Sequence, residues 1–476
     1  MRFPLALSAK IGAHIVKHKL LGTPKFALVL QLEPLHTCNL TCTGCGRIRE
    51  YSTHLKDMMG LEECLASAEE CDAPMVSICG GEPLIYPQIE ELVHGLLAQR
   101  RIVYICTNGM IMRKKMRDYL TAIYKPSREG LLRRLVSEGL VSSRDAAEIR
   151  KGPQKARPVI RPTKWLYWNV HVDGLERTHD LIVEREGVFR ECVQAIRMAK
   201  ILGYQVATNT TVYKQTDMVE IEEMFKYFSA MEVDGHTISP GYEYDAAKKD
   251  MVSRLNLKPE DFFLTRGMVR EKFARIEEWG EKFRILGTPV YQEFLSGKRD
   301  LTCTAWAIPT RNVKGWKGPC YLMTDGHYAS YRELLGQVTW DRYGVVDGVA
   351  RDVRCENCMV HCGYDPSGAL GKNYRSGDLW KNVKYNFGPR PKPAAQGSSV
   401  DPFTGVTCGN GHLTGGKSKS VPAEPARPGL VFEASVASGN GCNGSHGSHA
   451  TGGTNGTNGR GSAAHAQPVL VQISKK

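Results

Sequence analysis

The feature that most constrains the fold of this 476-residue chain is a regular alternation of strand-like and helix-like segments. Such an alternation is typical of parallel βα units, in which helices cover a buried sheet. Six units predict an α/β fold, an open, partial (β/α)6 barrel whose active site lies at the C-terminal ends of the strands. The predicted strands are residues 27–33, 75–79, 102–106, 166–172, 205–212 and 235–239, and the predicted helices are residues 61–71, 89–100, 111–120, 189–202 and 218–231.

Changes in composition divide the chain into regions. The N-terminal segment predicts an amphipathic helix, which either packs on the core or lies on a membrane surface. The last region is rich in Gly, Ser, Asn and Thr, and we expect residues 440–463 within it to be disordered. The predicted regions are an N-terminal helix (1–25), the barrel (26–245) with a basic helical insertion (121–162), a helical and cysteine-rich C-terminal domain (246–375) and a low-complexity tail (389–476).

The net charge of +13 is concentrated in one part of the chain. Residues 113–164 contain 15 Lys or Arg against 5 Asp or Glu. This excess indicates either a solvated basic face or contact with anionic lipid or an acidic partner. Tyr119 and Tyr124 are the only aromatic rings between residues 112 and 164, so we expect no nucleic-acid partner.

Bulk composition excludes several classes of protein. Fifteen cysteines in 476 residues are too sparse for a secreted disulfide scaffold. Neither an apolar run of about 18 residues nor a cleavable signal is present, so we expect no membrane-spanning helix. The sequence therefore predicts a cytoplasmic protein, with peripheral contact to the inner membrane face as an option.

Three cysteines, Cys38, Cys42 and Cys45, directly follow the first predicted strand. A ferredoxin-type iron–sulfur cube takes four thiolates. Three thiolates leave one iron without a protein ligand, and an open metal position is where chemistry takes place. A zinc site usually pairs two short-spaced elements, whereas the next short-spaced cysteines lie some 300 residues further along the chain. The spacing therefore predicts a [4Fe–4S] cluster.

Polar residues follow the later strands, where they form a ring facing one mouth of the barrel. Two glycines after the second strand would let a ligand approach the backbone closely, and the next glutamate would accept a hydrogen bond from an ammonium group. An aspartate after the fourth strand is expected to bind ribose hydroxyls. The predicted ligand-binding residues are Gly80, Gly81, Glu82, Pro83, Thr107, Asn108, Asp173 and Asn209.

The spacing of the three cysteines resembles the radical S-adenosylmethionine (SAM) superfamily. This resemblance implies that the open iron binds the amino and carboxylate groups of SAM, and that an electron from the cluster cleaves SAM to a 5′-deoxyadenosyl radical. Residues 80–83 are similar to the family motif that holds the methionine amino group. The chain departs from the common pattern at Gly44, where many members carry an aromatic residue against the adenine. Adenine contact must then come from elsewhere, or the adenosyl group needs more room.

A closer resemblance, over residues 1–120 and 160–375, is to the adenosyl-hopene transferases of hopanoid biosynthesis. It implies that the 5′-deoxyadenosyl radical adds to the terminal alkene of diploptene, which gives adenosylhopane with SAM as cosubstrate. It also implies a triterpene substrate drawn from a membrane, and we expect a reductant such as flavodoxin or ferredoxin. The stretches that carry the resemblance are residues 32–35, 104–108, 171–174, 239–242, 309–312, 315–316, 319–321, 355 and 358–364.

Other cysteines raise two further questions. Cys106, at the end of the third strand, is either a catalytic hydrogen donor to the substrate radical or a small core residue. Cys355, Cys358 and Cys362 have metal-ligand spacing, and Cys303 and Cys320 lie in the same region. A second cluster, a zinc site and free thiols all remain open for this group.

Two rival functions fit parts of the sequence. One is a radical SAM enzyme that modifies a peptide or an RNA, since the C-terminal cysteines suit the first substrate and the basic insertion suits the second. The other is a non-catalytic carrier of iron–sulfur clusters. A carrier would have no use for the ring of polar residues at the strand ends.

Overall fold

The computed structural model describes residues 4–153, 158–373, 375–389, 391 and 402–403, all within a compact unit spanning Met1–His412. The predicted tail, with Cys408 and Cys442, lies outside the described residues except at positions 389, 391, 402 and 403. The expectation of disorder over residues 440–463 therefore stays a prediction.

The centre of the molecule is a mixed sheet in the strand order β6-β5-β4-β3-β2-β1-β7-β8-β9. Strands β1 to β6 run parallel to one another, which confirms the predicted α/β fold and all six predicted strands. The bounds are β1 Val29–Glu33, β2 Met75–Ile78, β3 Ile102–Thr107, β4 Leu166–His171, β5 Gln205–Val212, β6 Gly235–Pro240, β7 Thr310–Asn312, β8 Gly315–Pro319 and β9 Thr324–Tyr328, with a separate hairpin of β10 Val345–Val346 and β11 Val349–Ala350.

Helices connect the strands, and the five predicted helices are present within three residues of their expected ends. They are α3, α4, α5, α9 and α10 in the numbering that follows. The α-helices are α1 Leu5–Leu20, α2 Arg47–Glu50, α3 Leu61–Cys71, α4 Ile89–Ala98, α5 Met112–Ile123, α6 Glu129–Ser137, α7 Ser143–Lys151, α8 Glu176–Ile182, α9 Val188–Ile201, α10 Met218–Ala230, α11 Asp245–Asp250, α12 Arg266–Lys272, α13 Ile276–Lys282, α14 Pro289–Leu295, α15 Tyr331–Gln337, α16 His361–Tyr364, α17 Ser367–Leu370 and α18 Asp378–Phe387.

The C-terminal region extends the sheet, which the sequence did not predict. Strand β7 pairs in parallel with β1, and β8 and β9 continue antiparallel beyond it. These strands are three to five residues long and contain glycine, lysine and proline. Without apolar alternation they give no strand signal in the sequence.

The two faces of the parallel sheet have different environments. Alternate residues such as Val76 and Ile105 pack against the covering helices in the main core. The opposite face is apolar at the N-terminal ends of the strands, where Tyr104 and Tyr167 pack with Leu7 of α1. Helix α1 therefore packs on the core through this face. Its C-terminal Leu20 and Leu21 are 83% and 68% exposed, respectively.

The basic insertion folds into helices α6 and α7, as the sequence predicted. The side chain of Ser142 caps α7 by accepting a hydrogen bond from the backbone N–H of Asp145 at 3.0 Å. Arg134 and Arg197 both pair with Glu138, at 2.9 Å each. Several of the basic groups are thus paired within the protein, and contact with lipid or an acidic partner stays a prediction.

No helix in the part of the chain that the structure describes has the length and apolar character needed to cross a bilayer.

Acidification should unfold the protein partly through His236. Its ring lies between Thr208 Oγ1 (2.7 Å) and Ser229 Oγ (3.1 Å) and stacks on Phe225. Burial, together with Arg284, lowers the pKa of His236 to about 3, whereas an unfolded histidine titrates near 6.5. Because the folded pKa is the lower one, this stability is complete above pH 6.5 and is lost as the pH falls toward 3, by up to ~1.4 kcal/mol per pH unit.

Urea denaturation of the wild type and of His236→Gln between pH 7 and pH 4 measures this loss. The variant should be less stable at pH 7 but should lose stability less steeply on acidification, by about one proton. Parallel slopes for the two proteins would contradict the assignment.

Candidate active site

The three-cysteine loop directly follows β1 and is held rigidly by the side chain of Arg49. Its guanidinium donates hydrogen bonds to the backbone carbonyls of Cys42 (3.0 Å), Cys45 (2.8 Å) and Thr41 (2.9 Å). Arg49 is fixed in turn by an ion pair with Asp250 at 2.7 Å. The carbonyls of the loop therefore point toward Arg49, which constrains the loop before any ligand binds.

The cysteine side chains of this loop suit an iron–sulfur cluster. All three are free thiols. The pKa of Cys42 is raised by burial and by the neighbouring Cys45 and Cys38, so the three thiols lie close enough to affect one another. Neutral, mutually close thiols are poised to bind metal, because a cluster stabilises the thiolate form.

The spacing of the sulfur atoms bears on whether one zinc ion could bind all three. Four-coordinate zinc with 2.3 Å bonds holds its sulfur ligands about 3.8 Å apart. Among the described residues, only the group His14, His18 and Asp72 places three possible ligand atoms within 4.8 Å of one another. We assign no metal to that group, because Asp72 is already paired with Arg101 at 2.8 Å. The three cysteine sulfurs are therefore not all within 4.8 Å of one another, so they do not form the tight group that a single zinc ion takes.

Asn108, predicted as a ligand-binding residue, contacts the cysteine loop itself. Its side-chain amide donates to Oδ1 of Asn39 at 2.8 Å and lies 3.7 Å from Sγ of Cys38. Hydrogen bonds to cluster sulfurs help set the reduction potential of an iron–sulfur centre. Asn108 is thus placed to tune the cluster from the end of β3.

Gly80 and Gly81 pack closely against the chain that leads into the cysteine loop. A Cβ atom on either residue would therefore meet protein backbone and not a bound ligand. A Cβ atom on Gly80 would lie 2.3 Å from the carbonyl oxygen of Leu35, and one on Gly81 would lie 2.1 Å from that of Thr37. The backbone N–H of Gly81 donates to the Leu35 carbonyl at 3.0 Å. The glycines therefore let the turn after β2 pack directly on the start of the cysteine loop, which is a different reason from the one we expected.

Glu82 joins this turn to the end of β3. Its carboxylate is 1% exposed and accepts hydrogen bonds from Thr107 Oγ1 and from the backbone N–H groups of Asn108 (both 2.8 Å) and Leu84 (3.0 Å). Burial raises its pKa to about 7. Thr107 is buried with it, and Pro83 begins the short helical turn that follows. The structure thus assembles Glu82, Pro83, Thr107 and Asn108, but Glu82 is occupied by donors from the protein.

Asp173 is also buried and bound by the protein. Its carboxylate accepts hydrogen bonds from the backbone N–H of Thr211 and from Nε2 of His171, both at 2.7 Å. Burial lowers the pKa of His171, but Asp173 more than offsets this, so the pKa is raised. Asp173 therefore holds the His171 ring in place at the end of β4. In the sheet, His171 is the register partner of Asn209 on β5. The sequence contained this signal, since His171 and Asp173 are two residues apart and share a strand face.

Aromatic rings from other parts of the chain lie beside Gly44, the position at which many radical SAM proteins carry an aromatic residue. A Cβ atom on Gly44 would lie 2.8 Å from the ring of Phe262, which contacts Tyr213 with ring centroids 4.2 Å apart. A Cβ on Gly46 would lie 2.3 Å from the ring of Tyr244. The glycines of the loop therefore make room for rings from after β5 and β6, and Tyr213 and Phe262 are candidates for the missing adenine contact.

A group of buried charges lies beneath the loop, and the sequence did not predict it. Glu33 accepts from His36 at 3.2 Å and from Arg47 at 3.4 Å, and all three side chains are almost wholly buried. Burial raises the pKa of Glu33, but Arg47, His36 and Lys317 outweigh it and lower the pKa to about 2. Arg47 also lies over the rings of Tyr244 and Tyr321, at 5.0 and 4.7 Å. These charges connect β1, the loop and β8 into one network.

Cys106 lies on the inner face of the sheet. Its sulfur is 3.1 Å from Oγ of Ser77 on β2 and 3.6 Å from Nδ2 of Asn169 on β4. In β3 it is the one residue that is not fully buried. Burial raises the pKa of Cys106, so its sulfur is protonated at neutral pH.

A large cleft of about 970 Å³ lies away from the cysteine loop. It is lined by residues beside the N-terminal ends of β3 and β4, including Leu97, Arg100, Ile123 and Trp165. The active site of a parallel βα fold lies at the opposite ends of the strands, so this cleft is not part of the site.

Comparison with known families bears on the identity of the chain. Residues 32–126, which contain the cysteine loop, the turn of Gly80 and Gly81, and β3, match the Radical SAM superfamily model. Residues 32–126 are thus a radical SAM region. Radical SAM proteins use a [4Fe–4S] cluster and SAM, which confirms the predicted cofactors. The assignment of the cluster to Cys38, Cys42 and Cys45 stays a prediction. Residues 236–382 match a second model, a domain of unknown function (DUF3463).

Individual relatives of this radical SAM protein are distant. The 7-carboxy-7-deazaguanine synthase of Neisseria meningitidis serogroup B is 34% identical over 86 residues, which are 18% of this chain and 39% of that protein. Streptococcus suis SuiB bound to S-adenosylmethionine has a TM-score of 0.34 at 16% identity, over 56% of this chain and 48% of SuiB. Native anSMEcpe with bound AdoMet and Cp18Cys peptide has a TM-score of 0.39 at 14% identity, over 76% of this chain and 97% of that one. This chain thus spans less than half of the synthase and of SuiB.

Proposed function

We propose that this radical SAM protein adds the 5′-deoxyadenosyl group to the terminal alkene of diploptene, forming adenosylhopane. The sequence resemblance to the adenosyl-hopene transferases suggests the substrate. The observation that carries the proposal is the position of Cys106, a protonated thiol on the inner face of the sheet between Ser77 and Asn169.

The chemistry needs a hydrogen donor of this kind. Cys38, Cys42 and Cys45 would hold the cluster, which would supply the electron for cleavage of SAM to methionine and the 5′-deoxyadenosyl radical. Bond formation between C5′ and the terminal alkene carbon leaves the unpaired electron on the tertiary carbon. Cys106 then gives its hydrogen atom to that carbon, and the resulting thiyl radical takes one electron from a flavodoxin- or ferredoxin-type reductant and one proton from solvent. A thiol is suited to this step because its S–H bond is weak.

The neutral neighbours of Cys106 support an apolar substrate. Ser77 and Asn169 are uncharged, so an alkene placed against them would desolvate no ionised group on either side chain. Cys79, which follows β2, hydrogen-bonds to Gln31 at 3.2 Å instead.

Cys106→Ala should separate cleavage of SAM from completion of the product. We expect 5′-deoxyadenosine and adduct formation to continue, because no cluster ligand is changed, while the yield of adenosylhopane falls to a minor fraction and oxidised or rearranged adducts accumulate. Anaerobic reaction with SAM, a low-potential reductant and diploptene, followed by mass spectrometry, measures both. Cys79→Ala is the matched control, since it removes a second thiol, just after β2, and should leave the adenosylhopane yield intact.

The same reaction tests the proposed function as a whole. A nucleoside–triterpene adduct from the wild type supports it, and SAM cleavage that no alkene captures contradicts it. Normal adenosylhopane yield from Cys106→Ala would remove Cys106 from the mechanism while leaving the substrate in place.

A membrane-borne substrate would need lipid contact near the mouth of the barrel. Leu181 and Val252, on segments that follow β4 and β6, are exposed, and an ion pair between Arg254 and Glu184 joins the two segments. Helix α1, with Leu20 and Leu21, lies toward the N-terminal ends of the strands instead. We therefore propose that membrane contact is made by the mouth rather than by α1.

Leu181→Glu/Val252→Glu should weaken binding to vesicles of anionic phospholipid on the order of a hundredfold, from the loss of about 3 kcal/mol of apolar transfer. Co-sedimentation with the vesicles measures it. Leu20→Glu/Leu21→Glu, an equal change at the other end, should bind like the wild type. The reverse ranking of the two variants would place the membrane at α1.

A further inference from the structure

Five cysteines from distant parts of the C-terminal region converge at one place in the fold. Cys320 follows β8, while Cys355, Cys358 and Cys362 lie in the segment that leads into α16. These four pack in one apolar cluster together with Tyr242 and Tyr244. The fifth, Cys303, approaches from the segment before β7. Its sulfur lies 2.7 Å from where a Cβ atom on Gly363 would stand, directly beside Cys362.

The thiols also affect one another electrostatically. The pKa of Cys362 is raised by burial and by Cys320, Cys358 and Cys303. Burial, Cys320 and Cys355 act in the same way on the pKa of Cys358. The thiols are therefore neighbours in space, and thiolates grouped in this way are typical metal ligands.

The geometry points to a second [4Fe–4S] cluster, held by Cys320, Cys355, Cys358 and Cys362. All four are free thiols, so they are not paired as disulfides. In the described part of the chain, no three of these sulfurs all lie within 4.8 Å of one another, so they do not form the tight group of ligands, about 3.8 Å apart, that one zinc ion takes. Four thiolates complete the ligation of a cube and leave no iron for SAM.

The surroundings suit the negative charge that such a cluster carries. Arg266 donates to the backbone carbonyl of Cys358 at 2.8 Å, and the buried Lys317 donates to that of Tyr321, next to Cys320, at 3.0 Å. Cationic groups held at fixed positions around a buried anionic centre stabilise it.

The proposed cluster and the radical SAM cluster share one aromatic neighbour. Tyr244 packs on Gly46 of the first cysteine loop and also belongs to the apolar cluster of the C-terminal cysteines. Cys362 and Cys45 are both among the groups that raise its pKa. Tyr244 therefore lies between the two sites. The inference does not depend on the triterpene substrate.

Iron counting on a full-length chain that lacks the first site tests the inference. Cys38→Ala/Cys42→Ala/Cys45→Ala, reconstituted anaerobically with iron and sulfide, should retain about four irons and four sulfides per chain, the number in one cube. Mössbauer spectra should be those of a [4Fe–4S] centre. Adding Cys355→Ala/Cys358→Ala should remove this iron, while adding Cys64→Ala/Cys71→Ala, two buried cysteines of α3, should not.

Several results would overturn it. The triple variant, shown to be folded by circular dichroism, could retain no iron, which would leave the C-terminal cysteines as free thiols. It could retain zinc and no sulfide, which would make the site structural zinc. Iron retained equally by both quintuple variants would place the metal elsewhere. Cys303→Ser, made in the triple variant, should keep the full iron content, and loss of iron there would overturn the ligand assignment.

Discussion

Cys42→Ala should abolish formation of 5′-deoxyadenosine, down to the level of an enzyme-free control. Cys42 is partly buried and lies beside Cys38 and Cys45, so its loss removes one of three thiolates, and a cube held by two is not stably bound. Anaerobic incubation with SAM and dithionite, with chromatography of the nucleoside, measures the effect. Iron content should fall by about four per chain, the content of one cube.

Cys64→Ala is the control for this variant. Cys64 is also buried, but it lies on α3 and packs in the main core rather than near the loop. It should retain both nucleoside formation and iron. Wild-type nucleoside formation by Cys42→Ala would show that the three-cysteine loop does not hold the cluster.

Arg47→Met should lower the free energy of unfolding by about 3–5 kcal/mol, the usual cost of removing one partner of a buried ion pair. The substitution preserves most of the volume of the side chain but leaves the buried carboxylate of Glu33 without its nearest strong cation. It also removes the guanidinium from the rings of Tyr244 and Tyr321. Urea denaturation of the anaerobically handled protein at pH 7 measures the change.

Two further variants isolate the ion pair as the cause. Arg133→Met makes the same substitution on the exposed face of α6, where surface pairs contribute little, and it should leave the unfolding transition nearly unchanged. Glu33→Gln/Arg47→Met should recover part of the lost stability, because no uncompensated charge remains. If Arg47→Met were as mild as Arg133→Met, the buried network would have no role in holding the loop to β1.

Sequence patterns predicted the parallel sheet and the helices that cover it, because both depend on local periodicity. Each of the strands β1 to β6 is an apolar run, and the helices between them repeat apolar residues at three or four positions. The cysteine loop was equally predictable, because spacing along the chain alone brings its thiols together. Cys355, Cys358 and Cys362 gave the same kind of signal, but their approach to Cys320 depends on the extension of the sheet.

The parts that could not be predicted depend on contacts between distant residues. Glu33 and Arg47 are charged residues, which are expected at the surface, and only their pairing makes burial tolerable. The ring of Phe262 lies beside Gly44, although the two residues are more than 200 positions apart in the chain. Asp173 was expected to face a ligand, yet it holds His171, because a carboxylate buried at a strand end takes the nearest protein donors.

The strand order has a consequence for how such a chain can be divided. The segment matched by the radical SAM model supplies β1, β2 and β3 in the middle of the sheet, whereas β6 and β7 to β9 come almost wholly from the segment matched by DUF3463. A polypeptide that ended before residue 236 would therefore expose β1 and β5 as edge strands. Their unpaired backbone groups would favour self-association. The segment matched by the second family model thus supplies the outer strands of a sheet whose central strands come from the segment matched by the first. Neither segment could form the complete sheet without the other.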